Sequence, residues 1–343
     1  MEKEHSKDQM AKIRNFEKGF IATHLINIGA KLGLFDALNE TKEGMTIPDL
    51  ASKLGLHEPY LKIWCQTAYH FEILDCDDHG RFRLQPLLDE ILGDKSHFRN
   101  YLGNIALTVD LLGKFFEEYP EYFRTRRTAK NPYTPELSRA VFEVTKNVPL
   151  VFLSMIFPKN DFLKQMLERG IRFLDIGCGR ANFIIQLAQS FKNSVFVGID
   201  PDPNAIEEAK NIISQLGLKE RVSVENLGGE NLSFYDEFDM ASMVVTLHEI
   251  HPDIRMEVVE KVYQALKSDG QLLILDFPYP DKLENFRNPM YDFAILDQFF
   301  EICFGFVHLS MLERNEMLTK VGFKNIEQMP IGKGMFELIT ATK

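Results

Sequence analysis

The chain has no excess of basic residues. Its 343 residues include 39 Lys and Arg against 50 Asp and Glu, a formal charge of -11 with a pI near 5.4. That balance argues against a sequence-independent nucleic-acid binder, which needs a basic footprint. Cysteine is scarce as well. Cys65, Cys76, Cys178 and Cys303 fall in no metal-ligand spacing, so no metal is expected from them, and they read as reduced thiols in a cytoplasm. Long apolar runs are missing: Val148 to Phe157 is interrupted by Pro149 and is far shorter than the ~20 residues of a membrane span. The first residues, Met-Glu-Lys-Glu-His-Ser-Lys-Asp, lack the apolar segment of a signal peptide. Internal repeats and low-complexity tracts are absent too. What remains is an ordinary globular composition, 45% hydrophobic and 26% charged, at a length that suggests two domains.

The most informative segment is Phe173-Leu174-Asp175-Ile176-Gly177-Cys178-Gly179, followed by Ala181, Asn182 and an apolar helix. A buried strand running into glycines lets the backbone turn sharply and approach a ligand closely. A second buried strand, Val195 to Ile199, ends in Asp200, about 20 residues further on, where a carboxylate can accept from ribose hydroxyls. This is a βαβ nucleoside site. A pyrophosphate is disfavoured, because the third dinucleotide glycine is replaced by Asn182 and Asp175 adds negative charge beside the loop. Asp175 suits a ligand bearing an ammonium or sulfonium.

The segment resembles the first motif, D-x-G-x-G-x-G, of class I S-adenosylmethionine-dependent methyltransferases, with Ala181 at the third glycine. The resemblance implies that Asp175, Gly177 and Gly179 hold the methionine end of S-adenosyl-L-methionine and Asp200 the ribose. Strands are expected at 171–176, 194–199, 221–225, 238–246 and 271–277. An antiparallel hairpin over 323–328 and 335–342 supplies the reversed last strand of that α/β, Rossmann-like sheet.

The N-terminal third reads as helices. A first apolar face (Ile13, Phe16, Phe20, Leu25, Ile28) is followed by a helix capped by Thr46 and ended by Gly55, then by one over 57–71. Two short strands around a polar turn complete a winged helix. Its second helix offers Lys62 as its only firm cation and its wing carries Asp75, Asp77 and Asp78, so dimerisation is favoured over DNA binding. In this layout the chain resembles the small-molecule O-methyltransferases from end to end. Expected domains are a winged-helix dimerisation domain over 1–100, a helical linker over 101–165 and the methyltransferase domain over 166–343. Arg124, Arg126, Arg127 and Lys130 form a basic cluster in that linker, read as a solvated loop.

Candidate chemistry centres on Leu247-His248-Glu249-Ile250, at the end of a strand on the ligand side of the sheet. A neutral phenol or alcohol attacks a sulfonium methyl poorly until it loses its proton, and imidazole is suited to take it. The segment resembles the L-H-D-W motif of the O-methyltransferases, whose histidine is the general base; His248 matches it. A metal set of His248, Glu249, His251 and Asp253 lacks helical spacing and is set aside. Asp276 ends the next strand, where the plant enzymes carry an acid that orients the histidine. His308 stands where the family has a glutamate; it could itself act as base, and Glu313 could compensate one turn on. Glu230, with Asn231 beside it, matches the G-G-D acid that reaches the adenine amino group, although a plain surface loop fits equally. Tyr279, Met290, Tyr291 and Phe293 lie in an aromatic segment that reads as core or as a lid over the acceptor.

The reading is a homodimeric, cytoplasmic S-adenosylmethionine-dependent O-methyltransferase of an apolar or aromatic small molecule, without nucleic-acid or membrane partners. Two alternatives stay open: S-, N- or C-methylation by proximity, and a winged-helix ligand-sensing regulator.

Overall fold

The computed structural model describes residues 2–95, 97–125 and 133–343, with side chains from Asp8 onward. Arg126, Arg127 and Lys130 of the basic cluster lie outside the described residues; Arg124 is exposed. Two compact units divide between Phe116 and Glu117.

The first unit holds α1 (Glu2–Lys31), α2 (Leu34–Glu40), α3 (Ile47–Leu54), α4 (Glu58–His70), the antiparallel pair β1 (Leu74–Cys76) and β2 (Phe82–Leu84), and α5 (Leu102–Ala106). Thr46 caps α3, accepting from the Asp49 N–H, and Gly55 ends it at φ 65°. Leu34, Phe35, Leu50, Trp64, Cys65 and Leu74 form the core, and the Trp64 indole donates to the Leu25 carbonyl at 3.0 Å. Along α1 the apolar face is mostly uncovered: Ile13, Phe16, Phe20 and Ile28 are exposed, and Leu25 is buried.

The second unit follows α6 (Gly113–Thr125), which spans the division. It holds α7 (Pro135–Thr145), α8 (Val148–Val151), α9 (Asp161–Arg169), β3 (Arg172–Ile176), α10 (Asn182–Ser190), β4 (Val195–Asp200), α11 (Pro203–Gln215), β5 (Val222–Asn226) and β6 (Phe238–Val244). Then come α12 (Pro252–Ala265), β7 (Leu266–Asp276), α13 (Asp292–Glu301), α14 (Met311–Val321), β8 (Lys324–Ile331) and β9 (Phe336–Thr342). The seven strands run in the order β5-β4-β3-β6-β7-β9-β8, parallel from β5 to β7, with β9 reversed between β7 and β8. Strand order reverses at β3 and β6, so a crevice opens beyond their carboxyl ends.

The helices just before the sheet pack against it. Val148, Phe152, Ile156, Leu163 and Leu167 share one apolar core with Phe173, Phe183 and Phe196 of the sheet layer. The helical run Pro135–Lys159 is 25 residues long and contains an 18-residue window of mean hydropathy 1.5, enough to cross a membrane by length and composition alone, although no single apolar run in the sequence reaches that length. A core helix meets the same test. Here Val148, Phe152 and Ile156 enter the core, and Leu137, Val141 and Phe142 face a cavity.

Candidate active site

The turn after β3 is built around Gly177. Its φ is 71°, and a Cβ there would lie 2.3 Å from Thr246 Cγ2, so both conformation and space demand glycine. The Gly177 and Cys178 N–H groups donate to the Ile199 carbonyl, tying the loop to β4. The Gly179 N–H donates to Asp200 Oδ2 at 2.8 Å, and nothing stands within 4 Å of where a Gly179 Cβ would be. Ala181 takes the left-handed conformation, φ 61°, at the start of α10, where the family motif has glycine.

These elements line a cavity of about 370 Å³, within the range of small-molecule sites. Asp175, Gly177, Gly179, Asp200 and Glu230 all border it. Burial pushes the Asp200 carboxyl up to about 6, against the pull of the Asp202 and Gly179 N–H groups. Asp175 lies deeper: it is 1% exposed, accepts from the Ser242 hydroxyl at 2.6 Å, and burial raises it to about 7. Its place is therefore the floor of the cavity, with its carboxyl tied into the sheet. Asn231 is exposed, donates to Glu230 at 2.7 Å and does not border the cavity, because it sits on the outer side of that short turn.

Beyond β6 the backbone is strained. Val245, a β-branched residue, takes φ 54° while its N–H donates to the Leu275 carbonyl. This turn delivers Thr246 to the glycine loop and His248 to the interior. His248 is 2% exposed, and its Nδ1 meets Asp276 Oδ1 at 2.5 Å. His308 stacks on it, ring centroids 4.4 Å apart and 8° from parallel. Asp297 and Glu301, one turn apart on α13, face both rings: His308 Nε2 lies 3.1 Å from Asp297 Oδ2, and His248 Nε2 lies 3.5 Å from Glu301 Oε1. Burial opposes charge on His248, but the carboxylates of Asp276 and Glu301 outweigh it and hold its pKa well above the ordinary range. Burial opposes ionisation of Asp276 too, yet the facing imidazole brings it down to about 2.

The Arg255 guanidinium, 4% exposed, donates to the carbonyls of Ile250, His248 and Val307 and so pins both histidine segments. His251 caps α12, accepting from the Asp253 N–H, and stands outside the histidine cluster. Glu313 accepts from the Ser310 N–H in a capping box and does not reach the cluster.

Sequence reasoning placed His248, Asp276 and His308 together and missed Asp297, Glu301 and Arg255. A usable signal existed for the acids: a D-x-x-x-E pair within an otherwise aromatic helix. The acceptor wall also differs from expectation. Tyr279, Met290, Tyr291 and Phe293 do not border the cavity: Tyr279 stacks on His308, Phe293 packs on Phe277, and Met290 is exposed. The helical turn puts Phe300, Glu301 and Phe304 on the wall instead, with Phe306, Phe142 and Phe183. Of the four cluster residues His248, Asp297, Glu301 and His308, Glu301 alone borders the cavity.

Residues 173–270 match a methyltransferase domain, and residues 15–89 an O-methyltransferase dimerisation domain. Carboxy-S-adenosyl-L-methionine synthase of Nautilia profundicola is 29% identical over 181 residues, 49% of this chain and 75% of that protein. The Campylobacter jejuni synthase is 28% identical over 216 residues, 55% and 88% of the two chains. Among solved structures, human N-acetylserotonin methyltransferase in complex with S-adenosylmethionine superposes at a TM-score of 0.75 with 14% identity, covering 97% of each chain. The mitomycin 7-O-methyltransferase MmcR superposes at 0.74 with 18% identity, again over 97% of each.

The open glycine cradle and the Asp200 carboxylate at its edge fit an adenosyl ligand. The chain is an S-adenosylmethionine-dependent methyltransferase. In it a methyltransferase-domain segment within a class I sheet follows a segment that matches an O-methyltransferase dimerisation domain.

Proposed function

We propose that the chain methylates an ionisable oxygen of a small, largely apolar acceptor. The observation that carries this reading is a single cavity with the glycine loop and Asp200 at one end and Phe300, Phe304 and Phe306 on its wall, backed by the His248 cluster. When bound, S-adenosylmethionine supplies an electrophilic sulfonium methyl. Gly177, Gly179 and Asp200 would hold it, and Glu230 would meet the adenine. The aromatic wall excludes water and seats a planar acceptor. Glu301, the cluster residue on the cavity wall, takes the acceptor's proton and shares it with Nε2 of His248 behind it, whose ring Asp276 fixes through Nδ1.

The exposed face of α1 supports a homodimer. Four unpaired thiols support a reducing, cytoplasmic setting. The cation-poor α4 keeps a DNA-reading role outside this proposal.

A panel of phenolic, hydroxylated, thiol and amine acceptors, incubated with labelled cofactor and resolved by mass, tests the reading. Methylation of a hydroxyl is expected, with turnover lowered about 10²–10⁴-fold in His248→Ala and less in Asp276→Asn. Transfer to sulfur, nitrogen or carbon that is undiminished in His248→Ala would replace it with proximity catalysis.

A further inference from the structure

We infer that His248, His308, Asp297 and Glu301 form a binding site for one divalent first-row transition-metal ion, zinc foremost. One ligand atom from each residue lies within 4.8 Å of all the others. The nitrogen–oxygen separations are 3.1 Å (His308–Asp297), 3.5 Å (His308–Glu301 and His248–Glu301) and 3.9 Å (His248–Asp297). A tetrahedral zinc with ligands at ~2.1 Å has ligand–ligand edges of roughly 3.4 Å. The donors stand near that spacing, with His248 meeting Oε1 of Glu301 and His308 meeting Oε2, and because the rings are stacked 8° from parallel one imidazole has to turn for both Nε2 lone pairs to meet the ion. The donor set, two imidazoles and two carboxylates, is one that zinc, iron and manganese accept.

A second, independent observation points the same way. Glu301 is 5% exposed, and its Oε2 has no hydrogen-bond partner although it lies 3.5 Å from His308 Nε2. A buried carboxylate oxygen left in that state is costly, and a cation between the four side chains satisfies it. The outer arrangement is that of a metal-bound imidazole. Nε2 of His248 faces the centre while Nδ1–H donates to Asp276, which fixes the tautomer and ring plane and raises ligand basicity.

Charge counting agrees. Asp276, Asp297 and Glu301 bring three negative charges, and with both imidazoles neutral one divalent ion cancels two. Arg255, buried and within electrostatic reach of Asp276 and Glu301, answers the third, since Arg314 is already paired with Glu337 at 2.9 Å. A cation and a proton compete for the same Nε2 lone pair, so in the metal-loaded enzyme His248 is a ligand and the loss in His248→Ala reports the missing ion. Binding does not depend on the methyl-transfer reading.

The test is metal content. Full-length protein is stripped with a chelator, dialysed against micromolar zinc and analysed by atomic emission, with zinc affinity measured by competition with a chromophoric chelator. About one zinc per chain is expected in the wild type. Affinity should fall by ~100-fold or more in His308→Ala and in the near-isosteric Glu301→Gln, and by about 10–100-fold in Asp276→Asn, where only the outer carboxylate is altered. S-adenosylhomocysteine binding checks that each variant is folded. Should the variants not fold, cobalt-loaded wild type decides: tetrahedral visible bands support the site and octahedral ones refute it. Wild type holding less than about a tenth of an equivalent, or variants holding zinc like wild type, would overturn the inference. Zinc content is read without substrate, so its failure leaves the identity of the methylated atom to the acceptor panel. Running His248→Ala on stripped and on zinc-loaded protein assigns the shared defect: a loss seen only with zinc belongs to the ion, a loss in both to the proton transfer.

Discussion

Asp175→Asn should make the folded protein less sensitive to pH between about 4 and 7. Asp175 is 1% exposed, and burial raises it from 3.8 to about 7. A carboxyl whose folded-state pKa is raised favours the fold while it is protonated. Its contribution is complete below the unfolded value near 4 and is lost as pH climbs to about 7. Three units at ~1.4 kcal/mol each make the ionised form cost about 4 kcal/mol by pH 8. Asparagine removes that ionisation and still offers an oxygen to the Ser242 hydroxyl. The assay is urea unfolding without ligand at each pH from 4 to 8. The stability of Asp175→Asn relative to wild type should rise by about 1.4 kcal/mol per pH unit up to about pH 7 and then level off. Glu249 also titrates near this range but is common to both proteins and cancels in the difference, whereas the Asp200 charge acts on Asp175, so the comparison is repeated in an Asp200→Asn background. A difference that stays constant across the series would show that Asp175 is already ionised in the fold and refute the reasoning.

Gly177→Ala should destabilise by about 2–4 kcal/mol, part from its positive φ and part from overlap with Thr246. Adding Thr246→Ala should restore the overlap share alone, and a double variant no better than the single would count against the clash. Asp200→Ala should weaken S-adenosylhomocysteine by about 1.5–3 kcal/mol in calorimetry, since a charge-assisted partner is lost; unchanged binding would remove Asp200 from the cofactor site. Phe16→Glu with Phe20→Glu should shift light-scattering mass from about twice 39.6 kDa to that of one chain. A wild-type monomer would refute the interface.

The sheet was legible because its strands are nearly continuous apolar runs and its switch point carries glycines and an acid. The reversed β9 was legible from the Gly332–Gly334 turn. His248, Asp276 and His308 could be found because strand ends and motif positions anchor them. Asp297 and Glu301 left only the D-x-x-x-E spacing within an aromatic helix, a faint mark because their partners are distant in sequence and an acid pair on a helix is ordinarily a solvated face. The expected wall residues lie in the segment that lines the cavity but not on its wall, because an aromatic stripe repeats around the helix and only the fold decides which side meets the cavity. The segment expected as a linker packs in part with the sheet for a related reason. Its apolar side chains carry no mark of the unit they pack into, and Val148, Phe152 and Ile156 proved to belong to the sheet.

Val245 sits in a backbone region that suits glycine, immediately before the residues that reach the cofactor loop and the histidine cluster. Glycine there would relax the chain and let the Thr246–His248 turn wander. A thermostability selection and an activity selection would therefore push this position in opposite directions. A library scored on both would separate at residue 245: the hardiest clones would be the slowest, and valine would persist only where turnover is rewarded.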